Sequence, residues 1–432
     1  FFCGLANCLR RSSTVTRCTA FKMGISEESR ERLEAMEFSP MDKLPQDAIF
    51  HIFSFLSLRQ IAVCRAVCKF LHHSLSSPPF LDLLGDSLPL LAFRPSHNYY
   101  SSHSNSCRHS PSQACALRAY DPSESRWINF PLTFLPYRYP YPVASSGGLV
   151  FLWAESENSG SSTKYLIACN PLKREFRVLP QLGSAWSRHG SVLVDENGGV
   201  LVLTELAALY LPRIAPSVNP CWSTFSSNLP SKPRSPILVR DSVFAICDIG
   251  NPWRSSWKLF TCSLSSLGGS SNSGFKTGNS KNGSLSLSSR TYWVGVEKNE
   301  WGDVMDIMKR PRLVQGTGWS LLMVGGLKSS FGLNPMCSTI LLLRLNLEKM
   351  EWEEAGRMPV VMYRYFAECS KLKVFGGGNK VCFSAKRLKM MALWDDSKEG
   401  SEVWSWVDRS PGGVGDEFFR GFIFDARLNV SP

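Results

Sequence analysis

After Cys115 the 432-residue chain holds a single histidine, His189, of seven in all. Catalysis or metal binding that draws on a set of imidazoles has little material over most of the chain. No window reaches the roughly 18–20 uninterrupted apolar residues of a membrane span. The longest candidates, Val200–Leu211 and Ile340–Leu347, are broken by Glu205 and Arg344, so no membrane partner is expected. There is no His-Glu-x-x-His pair, no Gly-x-Ser-x-Gly elbow and no phosphate loop ending in Gly-Lys-Ser/Thr. Gly376-Gly377-Gly378-Asn379-Lys380 is glycine-rich and basic but lacks the rest of that loop, and reads as a turn. No catalytic residue, metal ligand or cofactor is assigned, and the chain is not expected to be an enzyme.

Concentrated charge is also lacking. The formal net charge is +12, yet the basic residues come in short groups: Lys173-Arg174, Lys309-Arg310-Pro311-Arg312 and Lys386-Arg387-Leu388-Lys389. Nucleic-acid binding needs a patch rather than a total, so these groups read as solvated turns or strand edges, and no nucleic-acid partner is expected. The 14 cysteines are dispersed, and several, such as Cys169, Cys247 and Cys382, sit inside apolar runs. They read as buried free thiols rather than a disulfide framework. His97, His103, Cys107, His109 and Cys115 lie in a Ser/His/Asn-rich stretch, but their spacing matches no strong zinc pattern.

What the chain has is a helical start and a strand-rich remainder. In Met41–Phe80, Ile49, Ile52, Phe53 and Leu56 fall at i, i+3, i+4 and i+7, one stripe of a short helix opened by Leu44-Pro45. Ser57-Leu58-Arg59-Gln60 has capping-box form, so a second helix is expected from Ser57, with Ile61, Cys64, Cys68, Leu71 and Leu75 on one face until Pro78-Pro79 ends it. So few residues cannot bury this much apolar surface alone, which leaves a docking module or a cap on the next domain.

Leu44-Pro45, the Ile49/Ile52/Leu56 spacing and Val67-Cys68-Lys69 resemble the F-box, the module that docks on the Skp adaptor of cullin-based ubiquitin ligases. The sequence departs from that family at Phe70-Leu71, where a basic residue and Trp are common. The resemblance implies adaptor contacts through Leu44, Pro45, Ile49, Ile52, Leu56, Ile61, Val67 and Cys68. It also implies a place in the cytoplasm, the nucleus or both.

From Ala116 a unit recurs: a polar turn, then an aromatic, often then Pro. The aromatic anchors Trp127, Phe176, Trp222, Trp301, Trp352 and Trp406 are 49, 46, 79, 51 and 54 residues apart. The long interval contains a Ser/Gly/Asn-rich insertion, about Ser263–Ser289; without those 27 residues it is 52. A period of about 50 marks a kelch-type propeller blade. The anchors imply about six blades, with Trp127, Trp222, Trp301 and Trp352 packed between them and Phe418–Phe424 completing the first. The unit Cys169-Asn170-Pro171…Arg174–Pro180 also resembles the repeats that follow the F-box in plant F-box/kelch proteins. Copper oxidases built on such propellers need clustered His and Tyr, which His189 alone cannot supply.

The expected architecture is thus an all-α F-box module at 41–80 followed by an all-β kelch-like propeller at 116–425. Residues 81–115 read as linker and exposed loop, with an insertion near 263–289. Residues 1–40 read as a disordered or non-native extension, of which the first 22 read either as a transit peptide or as translated sequence ahead of Met23, Met36 or Met41. The F-box resemblance makes the chain a non-catalytic substrate-recognition subunit of a Skp–cullin–F-box ubiquitin ligase, its propeller holding a target protein. Arg mixed with aromatics is enriched at interface hot spots, so Tyr137, Arg138, Tyr139, Tyr363, Arg364 and Tyr365 are candidate target contacts. A propeller scaffold or a small-molecule-binding propeller outside ubiquitination is the alternative.

Overall fold

The computed structural model describes residues 44–85, 87–95, 116–155, 164–183, 186, 190–212, 221–265, 293–298, 301, 304–328, 337–367, 372–385, 388, 390–398, 400–408 and 418–432. The N-terminal stretch 1–40, the 96–115 loop with its His and Cys residues, and most of the 263–289 insertion lie outside them.

Four short helices come first: α1 (Gln46–Ser54), α2 (Leu58–Arg65), α3 (Lys69–Ser74) and α4 (Pro78–Asp82). Pro45 is the N-cap of α1. Ser57 caps α2 in a full capping box, its Oγ accepting from the Gln60 N–H while Gln60 Oε1 accepts from the Ser57 N–H at 2.9 Å. The expected long second helix is two helices. It stops after Arg65, and the Cys68 sulfur caps a new one by accepting from the Leu71 N–H at 3.5 Å. Pro78-Pro79 starts α4 rather than only ending α3, because a proline in the first turn forfeits no helical hydrogen bond.

Six four-stranded antiparallel sheets follow. Blade 1 holds β1 (Leu88–Pro95), β2 (Ala116–Asp121), β3 (Arg126–Pro131) and the C-terminal β24 (Phe418–Ala426). Blade 2 is β4 (Arg138–Ser146), β5 (Leu149–Glu155), β6 (Lys164–Asn170) and β7 (Glu175–Val178). Blade 3 is β8 (Ser191–Val194), β9 (Val200–Leu203), β10 (Ala207–Leu211) and β11 (Ser223–Ser226). Blade 4 is β12 (Arg234–Val239), β13 (Ser242–Asp248), β14 (Trp257–Ser263) and β15 (Val294–Val296). Blade 5 is β16 (Met308–Gln315), β17 (Ser320–Lys328), β18 (Cys337–Asn346) and β19 (Glu351–Arg357). Blade 6 is β20 (Leu372–Gly377), β21 (Lys380–Ala385), β22 (Met390–Asp395) and β23 (Trp404–Asp408). Among these, β24, β4, β8, β12, β16 and β20 touch their neighbours in turn and form a closed inner ring. The propeller begins at Leu88, not at Ala116: β1 pairs with β24 from Leu88↔Ala426 to Pro95↔Phe418, so the two ends of the chain share a blade. Pairing β24 with β1 covers the inner edge that β1 would otherwise expose and closes the ring, leaving only short blade edges.

The recurring polar turn has one geometry. Asp121, Asn170 and Asn346 end the third strand of blades 1, 2 and 5, and each side-chain oxygen accepts the N–H two residues on, at 3.0, 3.0 and 2.9 Å. Four residues after each, Ser125, Arg174 and Met350 take left-handed φ of 51, 61 and 58°. The chain then reverses and delivers Trp127, Phe176 and Trp352 onto the outer strand. Asp395 makes the same Asx bond in blade 6, to Ser397 N–H at 3.1 Å. Three anchors reach across to the next blade. The indole N–H groups of Trp127, Trp222 and Trp301 donate to the carbonyls of Asp408 (3.0 Å), Pro180 (2.9 Å) and Met350 (2.9 Å).

Candidate docking surfaces

The helices rest on one end of blades 1 and 2. Ile49, Phe50, Phe53, Leu58, Ile61 and Leu71 bury themselves in one cluster with residues of β1, β2, β5 and β24. Arg59 of α2 pairs with Asp121 and Glu124 at the β2–β3 turn, and its Nη2 also donates to Ser123 Oγ at 3.3 Å. Asn429, just past β24, donates to the Leu84 carbonyl at 3.0 Å. The module is therefore held to the propeller by packing, an ion pair and the closing strand.

That attachment decides which module residues face out. Ile49 and Ile61 are 1% exposed. They build the junction and are not available on the surface, contrary to the reading that made them adaptor contacts. The Ile49/Ile52/Phe53/Leu56 stripe is not centred on the buried face, which turns toward Phe50 and leaves Ile52 at the stripe's outer edge: Ile49, Phe50 and Phe53 point in, Ile52 points out, and Leu56, past the helix end, is half-buried. Leu44, Pro45, Ile52, Val67 and Cys68 are exposed. The sequence reading missed Phe55, 77% exposed, and Val63 and Phe70, also on the surface. Phe55 lies three residues from Ile52, so the signal was a second apolar row behind the first. Leu71, at the position where the F-box family carries Trp, is buried in the junction.

The inner strands all run the same way around the axis, and the helices sit where those strands end. The far pole holds their starts, together with the β13–β14 loop and the connection from blade 5 to blade 6. That connection is a helix, α5 (Val360–Ala367), which buries Met362 and Phe366 and exposes Val360, Val361 and Arg364. Trp253, in the β13–β14 loop, is 94% exposed. Of the candidate target contacts, Tyr137 and Tyr363 have internal roles. Tyr137 packs near Tyr165 and Phe176, with ring centroids 6.3 and 6.4 Å away, and Tyr363 donates its hydroxyl to the Cys337 carbonyl at 2.5 Å. Burial pushes both phenol pKa values up. Arg364 is exposed, and Tyr365 sits edge-on to Trp406 at 5.1 Å while remaining on the surface. Arg138 opens β4 opposite Glu155, and the side chains of Arg138 and Tyr139 lie outside the described residues.

Among the described residues no group of three or more His, Cys, Asp or Glu is placed to hold a metal, and Cys64 and Cys68 are free thiols. No helix among them is long and apolar enough to cross a membrane.

Residues 41–81 match the F-box-like family model. SKP1-interacting partner 15 of Arabidopsis thaliana is 52% identical over 400 residues, covering 92% of this chain and 100% of that protein. The chain belongs to the plant F-box/propeller family. Protein UNUSUAL FLORAL ORGANS, also of Arabidopsis thaliana, is a more distant relative at 24% identity over 425 residues, covering 90% of this chain and 85% of that protein. Members of this family are adaptors that carry a docking module rather than a catalytic domain.

Proposed function

We propose that this protein is the substrate-recognition subunit of a Skp–cullin–F-box ubiquitin ligase, docking on a Skp-type adaptor through its helices and holding a target protein on the opposite pole. The reading rests on one observation above the others. The module fixed to blades 1 and 2 presents large apolar side chains outward, Leu44, Ile52, Phe55, Val63, Val67 and Phe70, with nothing in the chain's described part covering them. Burying one such side chain is worth about 1.5–3 kcal/mol, while association costs about 4–15 kcal/mol in lost freedom. Several must therefore be covered together, as they would be on a complementary apolar partner. The related protein's name, SKP1-interacting partner, supports the choice of partner. Catalysis would be by proximity: a rigid link between module and propeller keeps the target within reach of the ubiquitin-charged enzyme and raises its effective concentration.

Co-expression of the full chain with a Skp-type adaptor tests this reading. A stable 1:1 complex, able to join a cullin in a reconstituted ligase, is the expected result. An adaptor that elutes separately from a folded chain contradicts it.

A further inference from the structure

The turn between the third and fourth strands of a blade needs one oxygen from its Asx side chain, which leaves that side chain a second polar atom. In blade 1 the second atom is a carboxylate oxygen, and Asp121 gives it to Arg59 of the helical module. In blade 2 it is an amide nitrogen. Asn170 is fully buried, and its Oδ1 accepts the N–H groups of Leu172 and Lys173 at 3.0 and 3.3 Å. Its Nδ2 donates to the carbonyls of Arg427 and Val430 at 2.9 and 2.8 Å. Both amide hydrogens are thus spent on the segment that follows β24.

That segment, Arg427–Ser431, joins blade 2 to the module. Leu428 is buried in the cluster that also holds Leu75, Phe80 and Leu81 of the module. Asn429 reaches the other way and donates to the Leu84 carbonyl, just past α4. Arg427 lies against the β4–β5 turn, where a Cβ on Gly148 (φ 87°) would stand 2.9 Å from the Arg427 Cβ. Of the basic groups expected to be solvated turns or strand edges, Lys309-Arg310-Pro311-Arg312 lies instead within the inner strand β16, whereas Lys173-Arg174 does form the β6–β7 turn. There Lys173 Nζ donates to Ser431 Oγ at 2.6 Å and pairs with Glu175 at 3.0 Å. The covalent passage from α4 to β1 is loose by comparison. Gly85 is exposed, and a Cβ on it would meet nothing within 4 Å. A glycine link of this kind permits rotation, so restraint at that end of the module comes from Leu428 and Asn429.

We propose that Arg427–Ser431 is a latch, closed by Asn170, that sets the angle at which the helical module stands on the propeller. Asn170 is a positioning residue: it holds the segment, and the segment holds the chain at Leu84. On the ligase reading this angle fixes where a held target stands relative to the adaptor. That consequence rests on the reading, whereas the latch itself does not. An aspartate fits the turn, as Asp121 and Asp395 do in blades 1 and 6, but an ionised carboxylate cannot donate. Asn170→Asp therefore keeps an acceptor for Leu172 and Lys173 and turns a carboxylate oxygen toward two carbonyls, which opens the latch and leaves blade 2 in place.

Two measurements on the full chain test this. Spin labels at Val63→Cys and Leu206→Cys, exposed positions on the module and on blade 3, report the angle when the other reactive thiols are serine. The parent should give one narrow distance distribution, and Asn170→Asp a broad one. Hydrogen exchange read by mass spectrometry over residues 80–88 and 427–432 reports the latch, and Asn170→Asp should speed it at least about tenfold. Asn346→Asp makes the same chemical change in the turn of blade 5 and should match the parent in both measurements. Asn429→Ala, at an exposed side chain, leaves every turn alone and should also broaden the distances, so it carries the test if Asn170→Asp fails to fold. Distances as narrow as the parent's in both Asn170→Asp and Asn429→Ala overturn the proposal. An Asn346→Asp protein as broad as Asn170→Asp also overturns it, because a general loss of stability then explains both. A Skp-type adaptor titrated into the same proteins separates the two readings: a folded parent that binds none undoes the ligase reading, while the distances still decide the latch.

Discussion

Arg59 of the helical module and Asp121 of the first blade form an ion pair across the boundary between the two parts of the molecule. Asp121 is fully buried, and its other oxygen is held by Ser123, whose N–H and hydroxyl donate at 3.0 and 2.6 Å. A buried carboxylate in this position has no water to replace a lost guanidinium. Arg59→Ala should therefore destabilise the protein by about 3–5 kcal/mol, much more than a surface pair would. Chemical denaturation of the two proteins checks this. Asp121→Asn, which keeps an acceptor for Ser123, should cost less.

Closure of the ring rests on β24. Phe424 is fully buried in that strand, within the cluster shared with the helices. Phe424→Ala should cost about 3–5 kcal/mol through lost burial and the cavity left behind. Because the strand belongs to both the inner ring and the helix junction, the loss should appear as earlier unfolding of the whole chain by circular dichroism. A separate melting step for the helices alone would contradict that coupling.

The bridge from Trp127 to blade 6 is worth less. Its indole N–H donates to the Asp408 carbonyl at 3.0 Å while its ring lies 4.8 Å from Phe93, centroid to centroid. Trp127→Phe keeps an aromatic ring and removes the donor, so a cost of about 0.5–1.5 kcal/mol is expected from the hydrogen bond, plus a small packing loss. The same change at Trp222, which donates to Pro180 from blade 3 to blade 2, should cost a similar amount.

How far the sequence foretold this fold can be argued from the same residues. The Asx turn and the aromatic six residues later are local, so Asp121/Trp127, Asn170/Phe176 and Asn346/Trp352 stood out as a period, and blade number followed. The capping box at Ser57 was equally local. Two kinds of fact were hidden. Whether Ile49 or Ile52 faces outward depends on where blade 1 lies, a contact made far along the chain by Phe422 and Phe424. Arg234, Arg312 and Arg420 lie near the starts of the inner strands of blades 4, 5 and 1, and no two of them are neighbours in sequence. Only the parallel course of the inner strands brings them together. A basic residue recurring near the start of five of the six inner strands was the available sign, and it is invisible until strands are assigned to blades.

Thiol chemistry offers an independent check on burial. Burial pushes the Cys169 pKa up to about 12 and the Cys247 pKa up to about 11, and raises Cys382 further. Cys68 and Cys221 are exposed. In the folded protein near pH 8, iodoacetamide should modify Cys68 and Cys221 and leave those three untouched, because the thiolate is the reacting form. Peptide mass mapping before and after denaturation reads this directly. Prompt labelling of Cys382 would show that the blade 6 sheet is not packed as described.

The central claim is that the outward apolar face of the helices is a docking surface. Phe55→Asp combined with Val67→Asp changes two exposed side chains and should leave the fold intact, as judged by an unchanged melting temperature. Titration calorimetry of a Skp-type adaptor into this double variant and into the parent protein compares the two affinities. If these residues are hot spots, together worth about 2 kcal/mol or more, the variant should bind at least about thirtyfold more weakly. Equal affinities in two equally stable proteins would contradict the claim.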